Sequence, residues 1–236
     1  MAKRGKKYTA MIKKHEEKLY TLDEAVKASK ASSYSKFPGT VELHVAINVP
    51  KDRESKSIKG SVSLPHQVKK EDSRIIVFCE NELADKAKKA GAVEAGLDDL
   101  IKKIQDGWME FDVALAVPSV MGKIAVLGKN LGPKGLMPNP KTGTLVEDIE
   151  KAIGEFQKGK TNYACDESGV IHLSVGKVDT EDQKIKENAL SAIENIATTV
   201  GKPTAILLKS VTLSPTMGAG AKVSLTEFIE KAKEEE

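Results

Sequence analysis

The strongest constraint on the fold of this chain lies at residues 127–144, where the sequence is LGKNLGPKGLMPNPKTGT. The segment contains four glycines, three prolines and three lysines, and it contains no acidic residue. Proline removes a backbone donor, and glycine destabilises helices and strands relative to alanine. The segment therefore cannot form one helix or one strand, so it must be a loop that its surroundings or a bound partner hold in shape.

The residues on both sides of this loop have the pattern of a parallel α/β region. Continuous apolar runs at residues 74–79 and 111–117 predict strands that are buried on both faces. Helical segments occur at residues 81–91, 98–107 and 145–160. Buried strands separated by short helices are typical of a parallel sheet that is covered on both sides. We therefore predict an inserted Rossmann-like parallel α/β domain at residues 68–159.

The N-terminal part of the chain has an alternating pattern instead. Apolar and polar residues alternate at residues 40–49, which predicts a half-exposed strand of an antiparallel sheet. Residues 58–64 predict a second strand. We expect the charged loop at residues 50–56 to join these two strands in a hairpin.

The alternating pattern returns after residue 160. Residues 161–175 predict a hairpin whose turn lies at residues 166–169. Thr180 and Gln183 have the spacing of a capping box for a long helix, which Gly201 would end. A final strand is predicted at residues 205–214.

Neither end of the chain contains enough strands to close a sheet alone. The simplest arrangement joins residues 1–67 and 160–236 into one discontinuous α+β sandwich domain. The predicted fold class is therefore α/β with two domains, in which the parallel domain is inserted into the discontinuous one.

Composition and charge exclude several classes of protein. With 37 basic and 34 acidic side chains among 236 residues, the net charge of +3 is too small to establish an anionic partner, although the first 14 residues are basic and the tail after residue 226 is acidic. Cys79 and Cys165 have no neighbours at metal-ligand spacing, so we expect neither a metal site nor a disulfide. No apolar run approaches the roughly 18 residues of a membrane span, and no secretory signal is present, so we expect a cytoplasmic protein.

The proline-rich loop does not match the known phosphate-binding spacings. Pro133 stands where a P-loop beginning at Gly128 would need glycine, and no G-x-G-x-x-G follows a strand. The G-x-x-G at residues 132–135 is shared with KH domains, but the prolines that follow prevent a helix from starting promptly. Two interpretations remain open: a rigid loop whose lysines face phosphates, or a connector with incidental lysines.

Other candidate sites are few. In the segment SPTMGAGAKV at residues 214–223, Met217 could belong to the core or could contact a ligand where glycine opens the backbone. Cys165 and His172 could be imagined as a thiol and a base, but no third group orients them, so we predict no enzyme activity and no cofactor. A nucleotide-dependent enzyme built on the parallel domain is the rival hypothesis, and a generic KH-like RNA module is another.

Several segments, in order, resemble the family of large-subunit ribosomal proteins called L-one, in its bacterial form. They are SKFPGTVELHV, GSVSLPH, DGWMEFDVALAVPSVMG, LGPKGLMPNPKTGT and KSVTLSPTMG, and the resemblance extends from about residue 20 to residue 223. The resemblance implies a two-domain protein, monomeric when free, that binds the ribosomal RNA of the mobile stalk in the large ribosomal subunit. It also implies help in the release of deacylated exit-site tRNA and repression of translation from the messenger RNA of its own operon.

The resemblance also implies which residues contact RNA. The principal surface would lie on the discontinuous domain and would contain Lys36, Phe37, Thr40, Glu42, Ser168, Ser210, Thr216, Met217 and Gly218. Lys134 and Lys141 in the proline-rich loop would form a secondary contact. Two positions depart from the family pattern. Pro38-Gly39 stand where many relatives have acidic residues, so side-chain contacts there are not transferred; Ala219 stands where proline is common, which keeps the Thr216-Met217-Gly218 triad but is expected to loosen the backbone behind it.

Overall fold

A computed structural model describes residues 5–12, 18–49, 58–68, 74–157, 159–226 and 228. The charged loop expected at residues 50–56, much of the basic N-terminal run and nearly all of the acidic tail lie outside these residues. The chain divides into two compact units, the first formed by Met1–Val68 with Thr161–Glu236 and the second by Lys69–Lys160. None of the helices found in the described residues is both long enough and apolar enough to cross a membrane.

The strands and helices are numbered in chain order. The strands are β1 (Leu19–Tyr20), β2 (Thr40–Ile47), β3 (Lys59–Ser63), β4 (Ile75–Phe78), β5 (Glu94–Gly96), β6 (Val113–Ala116), β7 (Lys160–Ala164), β8 (Val170–Lys177), β9 (Leu208–Pro215) and β10 (Ala221–Val223). The helices are α1 (Lys6–Ile12), α2 (Leu22–Ser32), α3 (Asn81–Lys89), α4 (Asp98–Gln105), α5 (Met121–Ile124), α6 (Gly128–Leu131), α7 (Ile149–Gln157), α8 (Asp182–Val200) and α9 (Thr204–Leu207). Short 3-10 helices lie at Pro118–Val120, Ala125–Leu127 and Pro140–Thr142.

The first unit is built on a five-stranded sheet in the order β1-β10-β9-β2-β8. All of its pairings are antiparallel except that of β1 with β10. The alternation predicted for β2 is confirmed: Val41, Leu43 and Val45 are fully buried, and they join a core that includes residues of α2 and α8. The sheet therefore has one face covered by helices, and the intervening residues of β2 lie on the other face.

The predicted hairpin of residues 40–49 with residues 58–64 is wrong. β9 and β8 occupy the two edges of β2, so β2 has no free edge for β3. β3 pairs instead with β7 in a separate two-stranded sheet. Alternation predicted both strands correctly, but it contains no information about which strand pairs with which.

The predicted hairpin at residues 161–175 is correct at its turn and wrong in its pairing. The Asp166 N–H donates to the Val170 carbonyl at 2.9 Å, and Gly169 adopts the left-handed conformation with φ 80°, as the turn requires. Only one bridge, between Cys165 and Ile171, joins the two segments directly. β7 and β8 then diverge into different sheets.

The capping box predicted at Thr180 and Gln183 is also wrong. α8 begins after Glu181, and the Thr180 hydroxyl accepts a hydrogen bond from the Lys177 N–H at 3.2 Å instead of capping the helix. A genuine capping box begins α2, where the hydroxyl of Thr21 and the carboxylate of Glu24 accept from each other's backbone N–H groups.

The second unit contains the predicted parallel sheet, with strand order β5-β4-β6. Successive residues of β4 point into two separate cores: Ile76 and Phe78 pack with α4 and α6, whereas Ile75 and Val77 pack with α3 and α7. The predicted mixed α/β fold with a parallel sheet covered on both faces is thereby confirmed. The short strand β5 was not predicted, because its three residues include no continuous apolar run.

We expect Thr21→Ala to lower the free energy of unfolding by about 1 kcal/mol, because it removes the side-chain cap of α2. Urea denaturation followed by circular dichroism measures this change. Thr21→Ser retains a hydroxyl at the same position and should preserve most of the stability. Equal loss in both variants would show that the cap does not stabilise α2.

Candidate nucleic-acid interface

The face of the five-stranded sheet opposite α2 and α8 is predominantly polar. None of its residues is buried. We call this surface the open face; it consists of Thr40, Glu42, His44 and Ala46 from β2, Ser210, Thr212 and Ser214 from β9, Val170, His172, Ser174 and Lys177 from β8, and Lys222 from β10 with Leu19 from β1 beside it. Antiparallel pairing places these side chains next to one another in rows across the strands.

Thr216 joins the end of β9 to the start of β2. Its N–H donates to the Thr40 carbonyl at 2.9 Å, and its hydroxyl donates to the same carbonyl at 3.1 Å. The Thr216 hydroxyl also accepts from the Thr40 N–H at 3.0 Å. Because its hydroxyl both donates to and accepts from Thr40, the Thr216 side chain holds two segments together that are 176 residues apart in sequence.

Gly218 and its neighbours pack against the end of α2. A Cβ atom added to Gly218 would lie 2.5 Å from Pro215 Cγ and 2.9 Å from the Ser32 carbonyl oxygen, so only glycine fits here. The Ser32 hydroxyl accepts from the Ala219 N–H at 3.2 Å. The backbone of Met217 is held as well, since its carbonyl accepts from the Tyr34 N–H at 3.3 Å. The turn at residues 216–218 is therefore held by contacts with the start of β2, with Tyr34 and with the end of α2.

The exposed side chains at this end of the sheet include two large apolar groups. Phe37 is 55% exposed and Met217 is 38% exposed. Phe37 and Lys36 lie in the connection between α2 and β2, where the Ser35 hydroxyl donates to the Phe37 carbonyl at 2.8 Å. The structure therefore brings six of the predicted residues to one end of the sheet, and we call this group the clasp cluster: Lys36, Phe37, Thr40, Thr216, Met217 and Gly218.

The other predicted residues of this unit lie further along the same sheet. Glu42 is on the open face beside the clasp cluster, paired with Ser214. Ser210 pairs with Ala46, and Ser168 lies in the turn that precedes Val170, another partner of Ala46. Because Ala46 is six residue steps from Thr40 along β2, Ser210 and Ser168 lie roughly 20 Å from the clasp cluster.

Two histidines and a serine occupy the sheet between these groups, and their proximity was not predicted from the sequence. His44 Nδ1 lies 2.7 Å from His172 Nδ1, and His44 Nε2 lies 2.9 Å from Ser214 Oγ. Partial burial lowers the pKa of His44, the nearby His172 lowers it further, and Glu42 opposes this shift. In the sequence, the alternation of β2 already places His44 on the same side as Glu42, and this pattern could have indicated that His44 belongs to the site.

The proline-rich loop forms a compact series of short helical turns in the second unit. Leu127 and Leu131 are fully buried and anchor its first half. In its second half, Thr144 Oγ1 accepts from the Asn139 N–H at 2.8 Å, and the Asn139 side chain accepts from the Lys141 N–H at 2.9 Å. As expected from its prolines and glycines, the segment forms neither one helix nor one strand. Lys134 and Lys141 are both exposed on it.

The imagined pair of Cys165 and His172 does not form a thiol and a base. Cys165 is buried, and burial raises the pKa of its thiol, which disfavours the nucleophilic thiolate. His172 contacts His44 instead. Within the described part of the chain, no group of three or more His, Cys, Asp or Glu side chains could hold a metal ion.

Comparison with known proteins gives consistent matches along the chain. The profile of the Ribosomal protein L1p/L10e family matches residues 26–219. The protein named large ribosomal subunit protein uL1 of Fervidobacterium nodosum is 43% identical over 235 residues, which cover 98% of this chain and 99% of that protein. The proteins of the same name from Thermosipho melanesiensis and Thermobifida fusca are 43% and 40% identical, over 95% and 98% of this chain and 97% and 99% of their own lengths.

We expect Gly218→Ala to lower the free energy of unfolding by about 1–3 kcal/mol, because the new methyl group would overlap Pro215 and the backbone of Ser32. Thermal or urea denaturation measures this change. Gly39→Ala is the matched control: its Cβ would meet Thr216 at 3.6 Å, which is ordinary contact, so it should change stability much less. Similar losses in the two variants would show that crowding at Gly218 is not the cause.

Proposed function

Because the chain belongs to the Ribosomal protein L1p/L10e family, we propose that it binds the stalk of the large-subunit ribosomal RNA through the clasp cluster and the open face. Its relatives are named as proteins of the large ribosomal subunit, so the chain is a ribosomal protein and not an enzyme. The proposed main site lies in the discontinuous domain, at residues 1–67 and 160–236.

The clasp cluster is the observation that carries this proposal. It combines exposed apolar groups, a lysine and backbone held in a fixed shape at the edge of a polar sheet face. Proteins recognise structured RNA by its shape, its 2′-hydroxyl groups and the faces of unstacked bases. A rigid turn with Phe37 and Met217 exposed beside it suits contact with sugars and bases, and Lys36 suits contact with phosphate.

The proposed roles of the residues follow from their hydrogen bonds. The Thr216 hydroxyl already bonds to Thr40, so we assign it a positioning role that fixes the turn for Met217. Ser210 and Ser168 extend the site along the sheet, where hydroxyls can pair with RNA 2′-hydroxyls. Glu42 cannot face a phosphate; it accepts hydrogen bonds from a 2′-hydroxyl or a base amino group.

The inserted domain at residues 68–159 makes the secondary contact in this proposal. Lys134 and Lys141 are exposed on a loop whose prolines lower the entropy cost of ordering it. We propose that this contact helps the release of exit-site tRNA. A surface that recognises one RNA shape also binds a second RNA of that shape, so the same main site would bind the messenger RNA of the protein's own operon and repress its translation.

We expect Met217→Ala to weaken binding to the stalk RNA fragment by about tenfold, because it removes an exposed apolar group from the centre of the clasp cluster. Filter binding or fluorescence anisotropy measures the affinity. Ile206→Ala is the control, since Ile206 is 62% exposed in the same unit and lies outside the clasp cluster and the open face. Unchanged affinity in Met217→Ala, or an equal loss in Ile206→Ala, would contradict the site.

We expect the double variant Lys134→Ala, Lys141→Ala to bind the stalk RNA with a shallower dependence on salt. The slope of log affinity against log salt should fall by about one for each phosphate that the lysines no longer neutralise. The double variant Lys86→Ala, Lys89→Ala removes two lysines from α3 of the same unit and serves as the control for net charge. Equal slopes in the two double variants would show that the loop lysines contribute only through net charge and make no specific phosphate contact.

A further inference from the structure

We propose that His44, His172 and Ser214 form a proton-sharing part of the RNA-binding face, which binds RNA more tightly when the pair takes up one proton. This inference rests on the proposed function, because it concerns the same open face. Its starting point is the distance of 2.7 Å between His44 Nδ1 and His172 Nδ1.

A contact this short between two ring nitrogens requires one hydrogen between them. A neutral imidazole carries one N–H, and an imidazolium carries two. If both rings were imidazolium, two N–H groups would point at each other and the contact would break. The pair can therefore be neutral, with one shared hydrogen, or can carry a single positive charge, but it cannot carry two charges while the contact persists.

The surrounding groups decide which ring carries that charge. His172 Nε2 lies 3.8 Å from Asp166 Oδ2, and 53% of the His172 side chain is exposed. The Val170 N–H donates to the Asp166 carboxylate at 2.7 Å, and this hydrogen bond is the largest cause of the lowered pKa of Asp166, so the carboxylate is ionised at neutral pH. His44 is more enclosed, with 25% of its side chain exposed, and burial disfavours its charged form. The added proton therefore belongs on His172.

The remaining charged groups near the pair do not reverse this assignment. On β2, Glu42 Oε2 lies 3.9 Å from His44 Nε2 and stabilises a hydrogen on that nitrogen. On β9, the neighbours Thr212 and Ser214 carry no charge. Lys222 on β10 is separated from His44 by Thr212, which pairs with both. Ser174 on β8 pairs with Glu42 and is also uncharged.

Protonation of His172 changes what Ser214 offers to a ligand. With His172 charged, its Nδ1–H donates to His44 Nδ1, so the hydrogen of neutral His44 is on Nε2 and donates to Ser214 Oγ. The Ser214 O–H is then free to donate outward. In the neutral pair the shared hydrogen can lie on either ring: Glu42 favours a hydrogen on His44 Nε2, whereas Asp166 favours one on His172 Nε2 and so leaves the shared hydrogen on His44 Nδ1. In this second tautomer His44 Nε2 is bare and accepts from the Ser214 O–H, so Ser214 offers only lone pairs. Phosphate oxygens accept hydrogen bonds, so the protonated form is the better RNA-binding form.

The expected sign follows from the coupling of proton uptake to binding. RNA that prefers the protonated pair binds more tightly as pH falls, because a lower pH increases the fraction of pairs that hold the added proton. Uptake of one proton limits the increase to about tenfold per pH unit. We therefore expect wild-type affinity for the stalk RNA fragment to rise about five- to tenfold from pH 7.5 to pH 5.5 at constant ionic strength.

The test compares this pH dependence in four proteins with one RNA. His172→Gln removes the ring that carries the charge, and burial disfavours the charged form of the remaining His44, so the affinity of this variant should change at least threefold less over the same range. Ser214→Ala retains the charge but lacks the hydroxyl, so it should lose more affinity at pH 5.5 than at pH 7.5. His66→Gln is the matched control, because His66 contacts Glu187 of α8 and is outside the open face. The same pH dependence in wild type and His172→Gln would overturn the proposal.

A second measurement does not depend on RNA. NMR titration of the imidazole nitrogens should show one of the two rings becoming charged between pH 8 and pH 5 while the other stays neutral. Independent titration of both rings would overturn proton sharing. If wild-type protein bound no stalk RNA at any pH, the proposed function itself would fail, and the NMR titration would still decide whether the pair shares its proton.

Discussion

The first unit depends on the pairing of β2 along both of its edges. β8 and β9 come from the other end of the chain, and they bond to β2 over nearly its whole length. This pairing buries Val41, Leu43 and Val45 beneath the helices. It also determines the rows of the open face, because each residue from Val41 to Ala46 has a defined neighbour on both β8 and β9. A shift of one residue in this register would exchange the buried and exposed sets.

The same pairing explains why the candidate RNA surface combines residues that are far apart in sequence. Thr216 follows β9 and meets Thr40 at the start of β2, so the turn at residues 216–218 comes to lie beside Lys36 and Phe37. His44 likewise meets His172 and Ser214 only because β8 and β9 flank β2. The fixed geometry of the site is thus a consequence of sheet register and not of any one loop.

Most local features could be predicted from the sequence, and long-range pairing could not. Alternation predicted β2, apolar runs predicted β4 and β6, and Gly201 ended α8 with a φ of 72° as expected. The main error concerns a strand partner, since β3 pairs with β7; one local prediction also failed, because Thr180 does not cap α8. Periodicity reports which face of a strand is buried, whereas the choice of neighbour depends on the whole sheet.

The candidate site, like the fold, could be predicted only in part from the sequence. The motifs that resemble the family identified the clasp cluster, but they did not reveal that the Thr216 hydroxyl is occupied by Thr40. His172 was considered only as a possible base for Cys165, and the sequence did not connect it with His44, since 128 residues separate the two histidines. The separation of Ser168 and Ser210 from the clasp cluster also required the strand register.

The interrupted path of the chain through the first unit has a consequence for its synthesis. β2 leaves the ribosome before either of its partner strands has been made, whereas every strand of the parallel sheet lies within one continuous stretch. Contacts between distant segments form late, because a long loop must close first. The nascent protein therefore carries a strand with two unpaired edges until its C-terminal third emerges, and such edges invite association with other chains. The polar residues of β2 that later form part of the open face keep one side of this unpaired strand compatible with water.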